Sequence, residues 1–187
     1  MIPIATYDIR PPRVKFNVRT LDFSNVFDDK FERYLVLFNG LKTDTNEGGF
    51  SKSTYFEWQY LDENNSVVSA TNYHTQQNGG YSANTTYQPI RTESNQTSHT
   101  LGETSCAAET SYPIARFWIN NPYQNDRVTT MHGKTTGHDG TNYVYHFHTS
   151  GFFDDTTRFT GFRLSPNTSQ QGNIAEGKIQ VYGLDFG

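Results

Sequence analysis

Apolar and polar residues alternate along much of the chain with the two-residue period of β-strands. In residues 54–61, Phe56, Trp58 and Tyr60 fall on one side and mostly polar residues fall on the other, which is typical of a half-buried strand. Residues 34–41 are apolar on both faces, as expected of a central strand. The same patterns predict further strands at 13–19, 66–73, 113–120, 127–133, 142–150, 157–164 and 178–184, with shorter candidates near 85–91 and 97–101.

About ten strands without an amphipathic helix between them predict an all-β fold, an antiparallel two-sheet β-sandwich of jelly-roll type. The composition agrees, because 14 Phe and 12 Tyr suit a pleated, half-buried surface. We expect one domain over residues 13–187, preceded by an extended, proline-containing arm over residues 1–12. The strands at 54–61 and 66–73 would form a hairpin, and the polar segment 75–112 would cross the surface as a long excursion.

The formal net charge of −4 disfavours a nucleic-acid partner, since such proteins present a strongly basic surface. No apolar run approaches the roughly 20 residues that span a bilayer, and the first residues carry no secretory signal, so no membrane partner is predicted. The single cysteine, Cys106, leaves no partner for an internal disulfide. We therefore expect a protein that folds in a reducing cytoplasm.

Histidines at alternate positions form the clearest candidate for a metal site. In a strand, His146 and His148 point to one face and could reach one ion, and His132 on a neighbouring strand could supply a third ligand. The spacing after Gly140 matches the first half of the cupin motif G-x5-H-x-H, but the glutamate and the downstream histidine of that motif are missing. An outward strand face with two polar rings explains the pair more simply, so no cofactor is predicted and a cupin-like enzyme is the least favoured function.

Other arrangements that carry catalysis are not found in the sequence. The acid pairs Asp28-Asp29, Asp62-Glu63 and Asp154-Asp155 fall at predicted turns, where aspartate is common for reasons of turn geometry. No nucleophile motif such as G-x-S-x-G occurs. We therefore predict no catalytic residues and a protein that is not an enzyme.

A basic stripe follows the proline-containing arm. Arg10, Arg13, Lys15 and Arg19 would share one side of the predicted strand 13–19 and its approach. In an otherwise acidic chain, such a stripe predicts a docking edge for an acidic partner.

The last third of the chain resembles a known family. TRFTGFRL at 157–164, followed by GNIAEGKIQVYGL at 172–184, is similar to the closing segment of small β-sandwich structural proteins of tailed bacteriophages, notably those of aquatic bacteria. YLVLFNGLK at 34–42, the YFEWQY strand and acidic hairpin at 55–66, and FWINNP at 117–122 follow the same pattern. The resemblance covers residues 34–187 in order, and the basic arm and the segment 75–112 depart from it.

The resemblance implies a virion structural protein, either a capsid decoration or cement subunit on the head shell or a tail-associated subunit. Its partners would be the major capsid protein or tail proteins, and it would act as a homo-oligomer, with a trimer as one option. The short chain with its own Met1 predicts a separate subunit that joins the virion in the host cytoplasm. The alternative is a carbohydrate-binding module for host-surface attachment, with a host glycan bound on the 75–112 segment.

Overall fold

A computed structural model of the protein describes residues 1–9, 18–43, 53–81, 88–106, 113–138, 144–166 and 173–185. This part of the chain forms twelve strands. They are β1 (Ile2–Ile9), β2 (Leu21–Phe23), β3 (Arg33–Thr43), β4 (Ser53–Leu61), β5 (Tyr73–Tyr81), β6 (Gln88–Gln96), β7 (His99–Cys106), β8 (Ile114–Asn120), β9 (Thr129–His138), β10 (Val144–Phe153), β11 (Gly161–Pro166) and β12 (Ile174–Leu184).

The strands form two antiparallel sheets. The larger sheet has eight strands in the order β1-β12-β3-β8-β9-β10-β5-β6, and the smaller sheet has four in the order β2-β11-β4-β7. The predicted all-β, two-sheet antiparallel sandwich is thereby confirmed, with twelve strands where the sequence indicated about ten. The described ranges hold no helical segment whose length and hydropathy would suit a bilayer crossing.

Aromatic rings fill the space between the sheets. On the inner face of the smaller sheet, the Phe162 ring stacks on Trp58 at a centroid distance of 3.8 Å and on Phe23 at 4.4 Å. The larger sheet contributes Val36, Phe38 and other fully buried side chains to the same core. Rings replace aliphatic side chains here because each one buries a large apolar area.

Four strands of the larger sheet extend it beyond a more compact arrangement. β1-β12-β3-β8 faces the four strands β2-β11-β4-β7, and β9, β10, β5 and β6 continue the larger sheet past β8. We call these last four strands the extension. The chain enters it twice, between β4 and β7 and again between β8 and β11.

The expected N-terminal arm is instead part of the sheet. Ile2–Ile9 form β1, which pairs antiparallel with β12, and Ala5, Tyr7 and Ile9 pack against the core. Pro3 had suggested irregular chain, but β1 is an edge strand, where proline is tolerated because one side of the strand needs no partner.

The expected hairpin of 54–61 with 66–73 is also wrong. Only Val67 of the second segment bridges Leu61, and β5 begins at Tyr73. The hydroxyl of Tyr73 accepts a hydrogen bond from the amide of Tyr60 at 2.9 Å and donates one to the carbonyl of Val68 at 2.8 Å. The segment is therefore tied down by a side chain and not by a strand ladder.

The segment 75–112 is not a surface excursion, because β5, β6 and β7 run through it. Thr75 and Gln77 of β5 are buried, and the amide of Gln77 donates a hydrogen bond to the carbonyl of Thr100 on β7. Hydrogen-bonded polar side chains thus occupy core-facing positions. Of the strand expected at 13–19, only Val18, which bridges Ile174, and Arg19 lie in the described residues.

Candidate functional site

The outer face of the extension carries most of the exposed rings and hydroxyl groups that the sequence singled out or overlooked. Antiparallel register sets outward side chains into rows across the strands. One row is Trp118, His132, Ser150 and Gln76, and the next is Asn120, Thr130, Phe152 and His74.

Two ring stacks mark these rows. The rings of His74 and Phe152 are 4.6 Å apart and inclined by 6°. The rings of Trp118 and His132 are 5.1 Å apart and inclined by 9°. In each case cross-strand register places the two residues directly opposite each other. The stacks therefore depend on the pairing of strands and not on neighbours in sequence.

A groove of about 550 Å³ lies beside the His74–Phe152 stack. We call it the outer groove. Its lining includes the side chains of His74, Gln76, Glu93, Thr130, Ser150 and Phe152. The groove thus combines an aromatic wall with hydroxyl, amide and carboxylate groups.

The electrostatic setting of the groove is close to neutral. Its lining holds no lysine or arginine, and the His74 imidazole lies 4.0 Å from the carboxylate of Asp154. In the adjoining row, partial burial and then the charge of Arg33 lower the pKa of His132. His132 therefore stacks on Trp118 as a neutral ring near pH 7.

His146 and His148 lie together on the outer face of β10, as the sequence predicted. Their Nε2 atoms are 2.8 Å apart, and Nδ1 of His146 is 3.0 Å from the Thr136 hydroxyl. Burial, followed by the charges of His148 and Lys134, lowers the pKa of His146. One neutral ring therefore donates to the other, whereas two nitrogens on one tetrahedral zinc would stand about 3.3 Å apart.

His132 does not join this pair. It lies opposite Ser150, and Lys134 lies opposite His148, so Lys134 separates His132 from the two histidines along β9. Within the described ranges, no group of three histidine, cysteine or acidic residues could hold a metal ion. The expected centre of His132, His146 and His148 is therefore not formed.

The docking stripe is only partly within the described residues. Arg19 is exposed and follows Val18, whose carbonyl accepts a hydrogen bond from the amide of Ile174 at 2.8 Å. Arg10, Arg13 and Lys15 lie outside the described residues. The docking role of the stripe stays a prediction.

The acid pairs have the turn roles that the sequence favoured. One carboxylate oxygen of Asp62 accepts hydrogen bonds from the amides of Asn64 and Ser66, both at 2.8 Å. In the same way, Asp28 accepts a bond from the amide of Lys30 at 3.0 Å. These carboxylates stabilise local turns.

Sequence reasoning missed the outer groove, because His74, Trp118 and Phe152 are far apart in the chain and share no motif. The alternation on β10 does place Phe152 on the same face as His146 and His148, which is the one signal that could have pointed to it. Comparisons of the chain with protein-family models, with curated proteins and with solved structures found no match.

Proposed function

We propose that the protein is a non-enzymatic structural subunit of a tailed-bacteriophage virion. In this proposal it decorates or cements the head shell, with attachment to the tail as the second location. Its partners are copies of itself and the major capsid protein or tail proteins.

The observation that carries the proposal is where the family-like segments lie in the fold. The segments at 34–42, 117–122 and 172–184 fall on β3, β8 and β12, which are neighbours in the order β12-β3-β8. The segments at 55–66 and 157–164 fall on β4 and β11, which pair in the smaller sheet. The resemblance therefore follows the framework of both sheets, which supports a fold shared with those virion proteins.

The strand order gives independent support. Without the extension, the sheets are β1-β12-β3-β8 and β2-β11-β4-β7, and we infer that these eight strands form a jelly roll. Viral capsid domains, lectin domains and cupins use that architecture. Because one fold hosts many functions, this support is an analogy of fold.

We further propose that the basic stripe of Arg10, Arg13, Lys15 and Arg19 docks the subunit on an acidic surface of the shell or tail. Deleting residues 1–12 would not test this, because Ile2–Ile9 form a strand of the sheet. Charge reversal is cleaner, because it leaves the backbone of β1 in place. Long-range attraction between unlike charges speeds and orients docking.

Replacing all four stripe residues by Glu should lower the number of copies per purified particle at least about tenfold, measured by quantitative mass spectrometry. The matched control reverses the exposed charges Lys30, Arg116, Arg127 and Lys134, which changes the net charge equally. Normal incorporation of the stripe variant, or equal loss in the control, would contradict docking through the stripe. Detection of the protein in particles at all tests the virion assignment separately.

A further inference from the structure

We propose that the outer groove, together with the Trp118–His132 stack, binds an uncharged saccharide. The proposal goes beyond a virion role and does not depend on it. A sugar ring has an apolar C–H face and a rim of hydroxyl groups. A site for it therefore needs a flat ring beside a set of neutral hydrogen-bonding groups.

The flat ring is Phe152. Its side chain is 39% exposed, although it is large and apolar, and its ring lies nearly parallel to that of His74 at 4.6 Å. The stack holds the Phe152 ring in one orientation, so little conformational freedom is lost on binding. Val128, another exposed large apolar residue, borders the same groove.

The neutral hydrogen-bonding groups come from three strands that surround this ring. Ser150 and Gln76 are exposed on β10 and β5, and Thr130 belongs to β9. The amide of Asn120 donates a hydrogen bond to the Thr130 hydroxyl oxygen at 3.0 Å. That bond orients the hydroxyl group and leaves its proton able to donate to a ligand.

The charge of the lining selects among saccharides. Glu93 is a carboxylate in the groove, and the lining residues include no lysine or arginine. An acidic sugar or a phosphate would meet this carboxylate without a cation to compensate it, and like charges repel at short range. Uncharged saccharides avoid that penalty, and a carboxylate accepts hydrogen bonds from sugar hydroxyl groups.

The two stacks are spaced for more than one sugar ring. Trp118 and Phe152 are separated by one intervening strand and one two-residue step. Strand spacing and rise put their Cα atoms about 12 Å apart, which is about the length of a disaccharide. We therefore infer that an oligosaccharide lies across β8, β9 and β10, with one ring at each stack.

Except for the flanking Trp118 of β8, the site belongs to the extension. β5, β6, β9 and β10 supply the main lining of the groove. These strands lie outside the two facing four-stranded layers, so the groove can vary without altering the inner framework. Sites added to a common fold are the usual source of differences in function.

The test begins with the purified full-length protein on a printed array of uncharged and anionic bacterial oligosaccharides. We expect signals on uncharged oligosaccharides of two or more rings. Isothermal titration with the uncharged oligosaccharide that gives the strongest signal then provides a dissociation constant. No binding to any uncharged oligosaccharide, or a preference for anionic ones, would overturn the proposal.

Variants then locate the site. Phe152→Ala should weaken binding about tenfold, which corresponds to about 1.4 kcal/mol, and Gln76→Ala should weaken it severalfold. Val144→Ala is the matched control, because Val144 is 48% exposed on the same face of β10. Thermal unfolding checks that all variants are folded. Unchanged affinity in Phe152→Ala and Gln76→Ala, or an equal loss in Val144→Ala, would place binding elsewhere and sink the idea.

Discussion

The imidazole of His99 lies in the core between aromatic rings. Its ring is 4.9 Å from Tyr73 and 5.8 Å from Tyr60, edge-on in both cases. The Thr75 hydroxyl is 2.9 Å from Nδ1. Burial, and to a smaller extent the charge of His74, lowers the pKa of His99 to about 3. His99 is therefore neutral in the folded protein throughout the physiological range.

This burial makes stability depend on pH. In the unfolded chain His99 titrates near its ordinary pKa of 6.5, so between pH 6.5 and 3 the unfolded state binds a proton that the folded state does not. The free energy of unfolding should therefore be highest above pH 6.5 and fall by about 1.4 kcal/mol per pH unit below it. Urea unfolding between pH 7.5 and 4 measures this slope.

His99→Gln should reduce that slope, because the titrating group is gone while a side-chain oxygen remains for the Thr75 hydroxyl. His148→Gln is the control, since His148 is exposed and its loss should leave the slope unchanged. An acid dependence in His99→Gln equal to that of the unchanged protein would refute the assignment.

At the scale of elements, β12 joins the ends of the chain. It pairs with β1 on one side and β3 on the other, and Ile174, Ile179 and Val181 are fully buried. Two register irregularities with β3 fall between Ile174 and Lys178. At Gly177 between them, φ is +141°, and a Cβ would lie 2.7 Å from Cα of Leu41. Glycine is therefore required where the strand bends.

Ending the chain after Gly177 should yield insoluble protein. The truncation exposes the facing edges of β1 and β3 and removes the buried side chains of Ile179 and Val181, and unpaired strand edges promote aggregation. The matched control ends after Leu184 and keeps all of β12. Sedimentation of the lysate and far-ultraviolet circular dichroism provide the readout. A soluble, folded product from the shorter chain would contradict this role of β12.

The strands that sequence predicted well are those whose alternation is written in aromatic and aliphatic residues. β4, β8 and β10 bury every second side chain over much of their length, so period-two patterns reveal them. β5 and β7 were missed because Thr75, Gln77 and Thr100 fill buried positions through hydrogen bonds. Hydropathy does not register a polar residue whose partner comes from another strand.

The candidate site was harder to predict than the strands. His146 and His148 were placed together correctly because they share one strand and one face. His132 was assigned to them wrongly, since only the register between β9 and β10 shows that Lys134 lies between. The stacks of Trp118 on His132 and of Phe152 on His74 also depend on pairing between separate strands, which a sequence pattern does not encode.

At the scale of the whole molecule, the fold has two functional parts. The facing layers β1-β12-β3-β8 and β2-β11-β4-β7 hold the segments that resemble phage structural proteins. The extension holds the outer groove and the exposed rings. We therefore propose a structural subunit that stands on a virion through its framework side and presents a saccharide site on the extension.

Imaging the particle tests the central proposal most directly. Antibody raised against the purified protein and coupled to gold would be applied to phage particles from the lysate of the bacterium in which the gene is expressed, followed by cryo-electron microscopy. We predict label at regularly repeated positions on the head shell, or at a fixed position on the tail. Density at those positions should accommodate the two-sheet fold. Particles that carry neither label nor such density, with the protein left in the particle-free fraction, would contradict a virion role.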